Sequence, residues 1–344
     1  MSQPIKTLRI LFLSACFALL GAPSFAEGGV VRDLVIALSN DDGWSAEGIQ
    51  AMKHALVARG HTVVLAAPAG EQSGSSAVID FFPADPSLGL LTVTKERDDQ
   101  GALEYSVSSV FDPNGAEPAT SAMIAVGIVR EINAGSPPDL VLMGINDGAN
   151  VGAVTQISGT VGGTVHAISA FANDSIPGIG VSTNVPDGAT PEQAAAHFDA
   201  VADFVVEFID HLQVMPPGDH DASLGLLPEG VGLKIDYPAL APGEVKGVKL
   251  SVQGRLAVIP QLAPIPLTLQ YGCAGPCSQI PVGASLTGGI VAAVPPSAQD
   301  VANSDLQDLQ AGYITVVPIE ADYTAGQPTW AKFNPTVNTF GREE

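Results

Sequence analysis

The chain has 344 residues, of which 46% are hydrophobic and only 15% charged, with 36 Asp+Glu against 14 Lys+Arg and a formal net charge of −22 at pH 7. Too few basic residues are present for counterion release from a nucleic acid, and an anionic lipid surface would repel the chain. The apolar content is enough to bury a core, which excludes a disordered chain, and the length allows one large domain or two small ones.

The first stretch reads as a targeting segment rather than as fold. Lys6 and Arg9 form a basic start, and Ile10 to Ala22 is an apolar run too short to span a bilayer comfortably. Ser24-Phe25-Ala26 then places small residues ahead of a cleavage point at Glu27. On this reading residues 1–26 are a signal peptide, and the mature protein is exported, periplasmic or secreted, with no membrane attachment after cleavage. An uncleaved anchor and lipidation at Cys16 are the alternatives. The mature chain keeps Cys273 and Cys277, a close pair expected to form a local disulfide in an oxidising compartment. A zinc site there would need two more ligands, and no His lies nearby.

From residue 34 short apolar runs alternate with helical patterns. Leu34–Leu38 is a buried-strand run ending in Ser39-Asn40-Asp41-Asp42-Gly43. A helix over about Ala46–Arg59 carries Ile49, Met52 and Leu56 on one face, with Gly60 placed to end it. Val63–Ala67 is the second strand, followed by a Gly/Ser-rich loop containing Ser73. Residues 83–117 are polar and irregular and contain a hairpin. Ser121–Ile132 reads as a helix, and Leu140–Met143 as a strand ending in Gly144-Ile145-Asn146-Asp147-Gly148. Val161–Ala172 is the next helix and Ile179–Ser182 the next strand. Thr190-Pro191 opens a long helix, with a cap residue and Pro at its first position, whose stripe is Phe198, Val201, Val205, Phe208 and Leu212. After about residue 214 Pro and Gly become frequent. Gly232–Tyr237, Val248–Val252 and Tyr313–Pro318 read as strands, and 254–305 as loops or an extended arm. The alternation predicts an α/β fold, a Rossmann-like three-layer sandwich with a mostly parallel sheet and a C-terminal β-rich extension. Residues 27–214 form the core, and 215–344 complete the same domain.

In an open parallel sheet, ligands bind at the carboxyl ends of the strands. Asp41, Asp42, Ser73 and Asn146 all fall there. Two carboxylates, a hydroxyl and an amide oxygen make an all-oxygen set suited to a hard divalent cation, Mg²⁺ or Mn²⁺. Ser158-Gly159-Thr160 precedes the helix at 161–172, and a helix start offers hydroxyls and backbone N–H groups to an anion. A cation site beside an anion site points to a phosphate ester. Taken singly, Asp-Asp-Gly and Asn-Asp-Gly are turn signals and Ser158 is an ordinary cap. Their joint placement carries the reading. Trp44 either stacks on a nucleobase or packs on the first helix, and His166 is a titratable group two turns past the anion site.

Ser39-Asn40-Asp41-Asp42-Gly43, Gln72-Ser73-Gly74 after Ala67-Pro68, Gly144-Ile145-Asn146-Asp147-Gly148-Ala149-Asn150-Val151-Gly152 and Ser158-Gly159-Thr160-Val161 resemble, in order and spacing, the SurE family of metal-dependent 5′/3′-nucleotidases and acid phosphatases. The resemblance is specific over about 34–185. It implies hydrolysis of nucleoside monophosphates and related phosphomonoesters. Asp41, Asp42, Ser73 and Asn146 would bind the metal, with Asp41 and Asp42 also catalytic. Asn40 and Asn150 would be supports, and Ser158, Gly159, Thr160 and His166 would meet phosphate or substrate. It further implies a homodimer or homotetramer. The chain departs from the family pattern at Gln72, where Arg is frequent, at His166, where Glu is common, and in Gly115–Ser121, which lacks the usual acid. Two rivals are an exported non-catalytic binding protein that keeps the fold, and a broad-specificity acid phosphatase. An aspartyl-phosphate mechanism would need Asp-x-Asp after the first strand, and a dinucleotide oxidoreductase a Gly-rich turn there; neither is present.

Overall fold

An apolar run with no polar interruption must be covered on both faces, and Val35–Ser39 (β1) is such a strand. In the structure, a computed structural model that describes residues 31–80, 89–99, 101–112, 114–169, 175–218, 220–221, 225–256 and 299–322, β1 lies inside a sheet of nine strands. The segments 1–26, 170–174 and 257–298, with the signal peptide, the end of the helix expected over 161–172 and the Cys273–Cys277 pair, lie outside the described residues.

The elements in chain order are β1, α1 (Glu47–Arg59), β2 (Thr62–Pro68), β3 (Leu91–Asp99), β4 (Ala102–Ser109), α2 (Pro118–Ile132), β5 (Leu140–Asp147), α3 (Gly159–Ile168), β6 (Gly178–Thr183), α4 (Pro191–Val214), β7 (Val231–Tyr237), β8 (Val248–Leu250), α5 (Asp305–Gln310) and β9 (Ile314–Glu320). The sheet order is β3-β4-β2-β1-β5-β6-β7-β9-β8. Strands β4, β2, β1, β5, β6 and β7 run parallel; β3 pairs antiparallel with β4, and β9 antiparallel with β7. The late strands therefore extend the sheet that the first half begins.

Alternation along each strand divides the core. Ile36, Leu38, Val63, Leu65, Leu140 and Leu142 face one side, packed on Ile49, Met52 and Leu56 of α1 and Phe198, Val201, Val205 and Ile209 of α4. Ala37, Val64, Ala66, Val141 and Met143 face the other, against Ala122, Ala125, Val126 and Val129 of α2. Helix α3 lies on this second face beside α2. The three-layer α/β sandwich is thus the observed architecture. The cap at α4 is a full capping box: the Gln193 N–H donates to Thr190 Oγ1 and the Thr190 N–H to Gln193 Oε1.

Chain order sets where a ligand can sit. From β1 the chain winds outward through β2 and β4, then returns to place β5 on the opposite side of β1 and winds through β6 and β7. The crevice at a reversal of this kind lies between the carboxyl ends of the two central strands. Here those strands are β1, which is followed by Asp41-Asp42, and β5, which ends in Asn146-Asp147.

Strand β5 differs from expectation. It does not stop at Met143 but runs through Gly144–Asp147, pairing Asn146 with Ser182 and Asp147 with Thr183 after a register shift. Gly144 has φ 121°, and a Cβ there would lie 2.2 Å from the Val181 carbonyl oxygen, so only glycine lets the strand continue. The turn-like composition Gly-Ile-Asn-Asp-Gly therefore marks a strand irregularity rather than a strand end. Helix α2 begins three residues earlier than expected, with Pro118 at its first position, and α3 two residues earlier, at Gly159.

Candidate active site

Every candidate cation ligand sits at the β1/β5 crevice or on the loop after β2. Asp41 is buried, and its carboxylate is held by one residue of α3. Thr160 donates its hydroxyl to Oδ1 at 2.5 Å and its N–H to Oδ2 at 3.2 Å. The Asp41 carbonyl accepts the Gln72 N–H at 2.8 Å, which brings the Ser73 loop against the end of β1. Asp42 Oδ2 accepts the Asp147 N–H at 3.0 Å, so the carboxylate lies beside the residue that follows Asn146. Asn40 Oδ1 accepts the Gly43 N–H at 3.2 Å and shapes the turn that carries both acids. Four hydrogen bonds between distant segments thus bring 40–43, 72–73, 146–147 and 159–160 to one rim of the sheet.

Asn146 donates its Nδ2 to the Gly148 carbonyl at 2.6 Å, which leaves its Oδ1 buried and without a hydrogen-bond partner. A buried carbonyl oxygen of this kind costs free energy unless something meets it. Ser73 is exposed, and its N–H is tied to Glu71 Oε1 at 2.7 Å. The Gln72 side chain turns away from the crevice and donates to the Gly115 carbonyl at 3.1 Å.

Electrostatics separate this rim from an ordinary turn. Burial raises the Asp41 pKa, against the lowering effect of the Thr160 hydrogen bonds. Asp42 is pushed up to about 7, first by burial, opposed by the Asp147 N–H and reinforced by the negative charges of Asp41, Glu71 and Asp147. No positive charge is among these influences. The donor chemistry fits a hard divalent cation: two carboxylates short of a counter-charge, an unmet amide oxygen and a hydroxyl. Among the described residues no group of three or more His, Cys, Asp or Glu is placed to hold a metal, so a cation here would depend on Ser73 and Asn146 as well as the two acids.

The start of α3 lies against Asp41 so closely that a Cβ on Gly159 would stand 3.0 Å from Asp41 Oδ2 and 2.9 Å from Pro118. The hydroxyls expected to meet phosphate are already engaged. Ser158 Oγ caps the helix by accepting the Val161 N–H at 3.0 Å, and Thr160, fully buried, is bonded to Asp41. In the structure they fix the helix start and the acid. His166 is not brought to Asp41. Its Nε2 donates to the Ala77 carbonyl at 2.8 Å, and its ring lines the gap between α2 and α3 with Met123, Val126 and Ile176. Asn150 donates its N–H to Asp236 Oδ1 at 2.7 Å and its Nδ2 to Ser182 Oγ at 2.6 Å, a support beneath the loop after β5. Trp44 packs on the core, with the Arg97 guanidinium 5.5 Å from its ring centroid.

Two features escaped the sequence reading. One is the Thr160–Asp41 bond, which links residues 119 positions apart. The other is a buried cluster of Lys234, Asp236 and Asp305 under Asn150 and Gly152. Its signal was Lys-x-Asp inside a strand otherwise apolar. Beyond Val185, whose N–H donates to Asp147 at 3.3 Å, lies a cleft of about 520 Å³ lined by Pro186, Asp187, Gln193, His197, Leu240 and Glu244.

The family model for Survival protein SurE matches residues 36–258. A 5′-nucleotidase SurE from Caulobacter vibrioides is 31% identical over 220 residues, 64% of this chain and 70% of the relative. A 5′-nucleotidase SurE from Rubrobacter xylanophilus is 30% identical over 293 residues, covering 84% of this chain and 92% of the relative. The crystal structure of the SurE protein from Aquifex aeolicus superposes with a TM-score of 0.57 at 22% identity, over 90% of this chain and all of the other, a likeness of fold.

Proposed function

The chain belongs to the SurE family, and from that premise we propose that it is a metal-dependent phosphomonoesterase that hydrolyses nucleoside monophosphates and related phosphate esters. The observation that carries the reading is the meeting of Asp42 with the Asn146-Asp147 strand end, beside the buried Asp41, where the charges acting on Asp42 among the described residues are those of other acids. Asp41, Asp42, Ser73 and Asn146 would hold Mg²⁺ or Mn²⁺. When bound, such an ion supplies Lewis acidity to the phosphoryl oxygens.

The chain's own residues do the rest. Thr160 fixes the Asp41 carboxylate, so that acid cannot swing away from the crevice. Water attacks phosphorus, and one of the two acids takes a proton from it. The ester P–O bond breaks, and the leaving alkoxide picks up a proton from the medium. The positive end of the α3 dipole, whose Thr160 and Val161 N–H groups are bound to Asp41 and Ser158, favours the charge on the phosphoryl oxygens. The cleft lined by Asp187 and Glu244 repels an anion and therefore suits the neutral nucleoside rather than the phosphate.

The test is metal depletion and add-back across nucleoside 5′- and 3′-monophosphates and an aryl phosphate, on the chain from Glu27. EDTA-sensitive phosphate release restored by Mg²⁺ or Mn²⁺ is the expected result; metal-independent release, or none, would exclude the reading. Export belongs to the same proposal and rests on residues 1–26. Amino-terminal sequencing of protein from the extracytoplasmic fraction should begin at Glu27. Light scattering of that material should report a dimer or tetramer.

A further inference from the structure

Residues 147–158 join the two halves of the candidate site, with Asn146 at one end and the start of α3 at the other. The middle of this segment is pinned by two buried carboxylates. Asp236 on β7 accepts the Asn150 N–H at 2.7 Å. Asp305, at the start of α5, accepts the N–H groups of Gly152 at 3.0 Å and Gly254 at 2.8 Å. One ammonium bridges the pair: Lys234 Nζ lies 2.5 Å from Asp236 Oδ2 and 2.9 Å from Asp305 Oδ2. Lys234 is 1% exposed and both acids 0%. Burial alone would lower the Lys234 pKa, but the two carboxylates outweigh it and keep the ammonium charged.

A dry ion triad is costly to desolvate, and neutral packing of the same volume is often at least as stable. Stability is therefore a poor reason for this one. Most of its hydrogen bonds to backbone go to loops: two to the 150–152 segment and one to Gly254 of the C-terminal part, beside one from Leu306 at the start of α5. Asn150 is fixed again by its Nδ2 bond to Ser182 and by the Thr155 hydroxyl, which donates to its carbonyl at 2.7 Å.

Resting on the phosphatase reading of the site, we propose that Lys234 is a positioning residue: by holding Asp236 and Asp305 together it fixes segment 147–158, and with it the spacing between Asn146 and the start of α3. Because Asp305 and Gly254 lie in the C-terminal part, the clamp also makes the site depend on that part being docked.

The test uses the chain from Glu27, with an aryl phosphate and Mn²⁺ for turnover and hydrogen exchange of the metal-free protein for geometry. In Lys234→Met, two buried carboxylates face each other without a cation. Amides of 148–153 should exchange about tenfold faster or more, in excess of any change elsewhere. At a temperature where the variant is folded, kcat should fall about ten- to a hundredfold, with KM held within about twofold. Lys234→Arg, which keeps the charge, should regain part of kcat. Wild-type kcat and exchange in folded Lys234→Met would overturn the proposal, as would faster exchange spread evenly over the chain. If Lys234→Met does not fold, Asp236→Asn decides with the same two readouts. It keeps an oxygen toward Asn150 but removes one charge, and should lower kcat and raise local exchange about threefold or more; no change in either overturns the proposal. A wild-type chain without hydrolysis would defeat the phosphatase reading instead, and local exchange alone would then pass judgement on the clamp.

Discussion

Two groups of carboxylates wholly or partly withdrawn from water lie one loop apart, and they differ in what surrounds them. Asp41 and Asp42 are desolvated, and the charges acting on them among the described residues are those of other acids. Asp236 and Asp305 are desolvated more completely, yet Lys234 stands between them. Burial is common to both groups, so burial alone does not mark a functional site. The counter-charge differs: the triad holds a cation of its own between its two carboxylates, whereas the rim acids stand among negative charges and, on the proposed function, take theirs from a bound metal ion.

The sharpest way to break this contrast is to open the closed cluster. Lys234→Met should cost about 3–5 kcal/mol, because it strands two buried charges. Urea unfolding at neutral pH reads that cost in the midpoint. Replacing Lys234, Asp236 and Asp305 together with Met, Asn and Asn should recover most of it, and no recovery would show that the charges were not the source of the loss.

The open cluster should respond in the opposite sense. Asp42→Asn removes a charge the apo protein is paying to bury, so the metal-free variant should be as stable as wild type or more so. Its metal-dependent turnover should nevertheless fall by about a hundred- to a thousandfold, the scale of losing a principal electrostatic contact to the reacting group. Asp41→Asn should behave alike in turnover. Thermal melting and phosphate release on the same samples separate the two effects, and an Asp42→Asn protein that melts far below wild type would place the acid in the structural class.

A smaller effect concerns pH. The folded Asp42 pKa of about 7 exceeds the ordinary 3.8, so between those values the native state binds more protons than the unfolded state. Stability from this group is present below about 4 and is lost as pH rises through about 7. Asp41 is displaced in the same direction. In EDTA, wild-type melting temperature should therefore drop from pH 5 to pH 8 more steeply than that of Asp42→Asn. Mg²⁺ or Mn²⁺ at pH 8 should close the gap, since a ligand that binds only the native state stabilises it. Parallel curves in EDTA would remove the basis for treating the rim as short of positive charge.

Sequence and structure agree where the signal is local. Apolar runs such as Val63–Ala67 and the stripe of α4 announced their elements, because covering a sheet face leaves few other patterns. The acids of 41–42 and the amide of 146 were legible because they follow such runs, and strand ends are where a parallel sheet exposes side chains to ligands. Long-range pairing was not legible. Nothing in the Thr160 neighbourhood tells that its hydroxyl is bonded to Asp41. Nothing at Lys234 names Asp305, some seventy positions on. Gly144 misled because the same residue that ends strands in turns also permits one to continue where a carbonyl passes close.

The finest probe of the comparison is Ser158→Ala. Ser158 Oγ accepts the Val161 N–H and so caps α3. Loss of such a cap costs about 1 kcal/mol in stability. If capping is its whole contribution, turnover at saturating metal and substrate should stay near wild type in the folded variant, while the denaturation midpoint moves by the stated amount. If the hydroxyl releases Val161 to meet phosphate during turnover, KM for the phosphate ester should rise and the stability loss should stay the same. Paired measurement of KM and denaturation midpoint thus decides whether the start of α3 belongs with the closed, structural side of the molecule or with the open rim that Asp41 and Asp42 form.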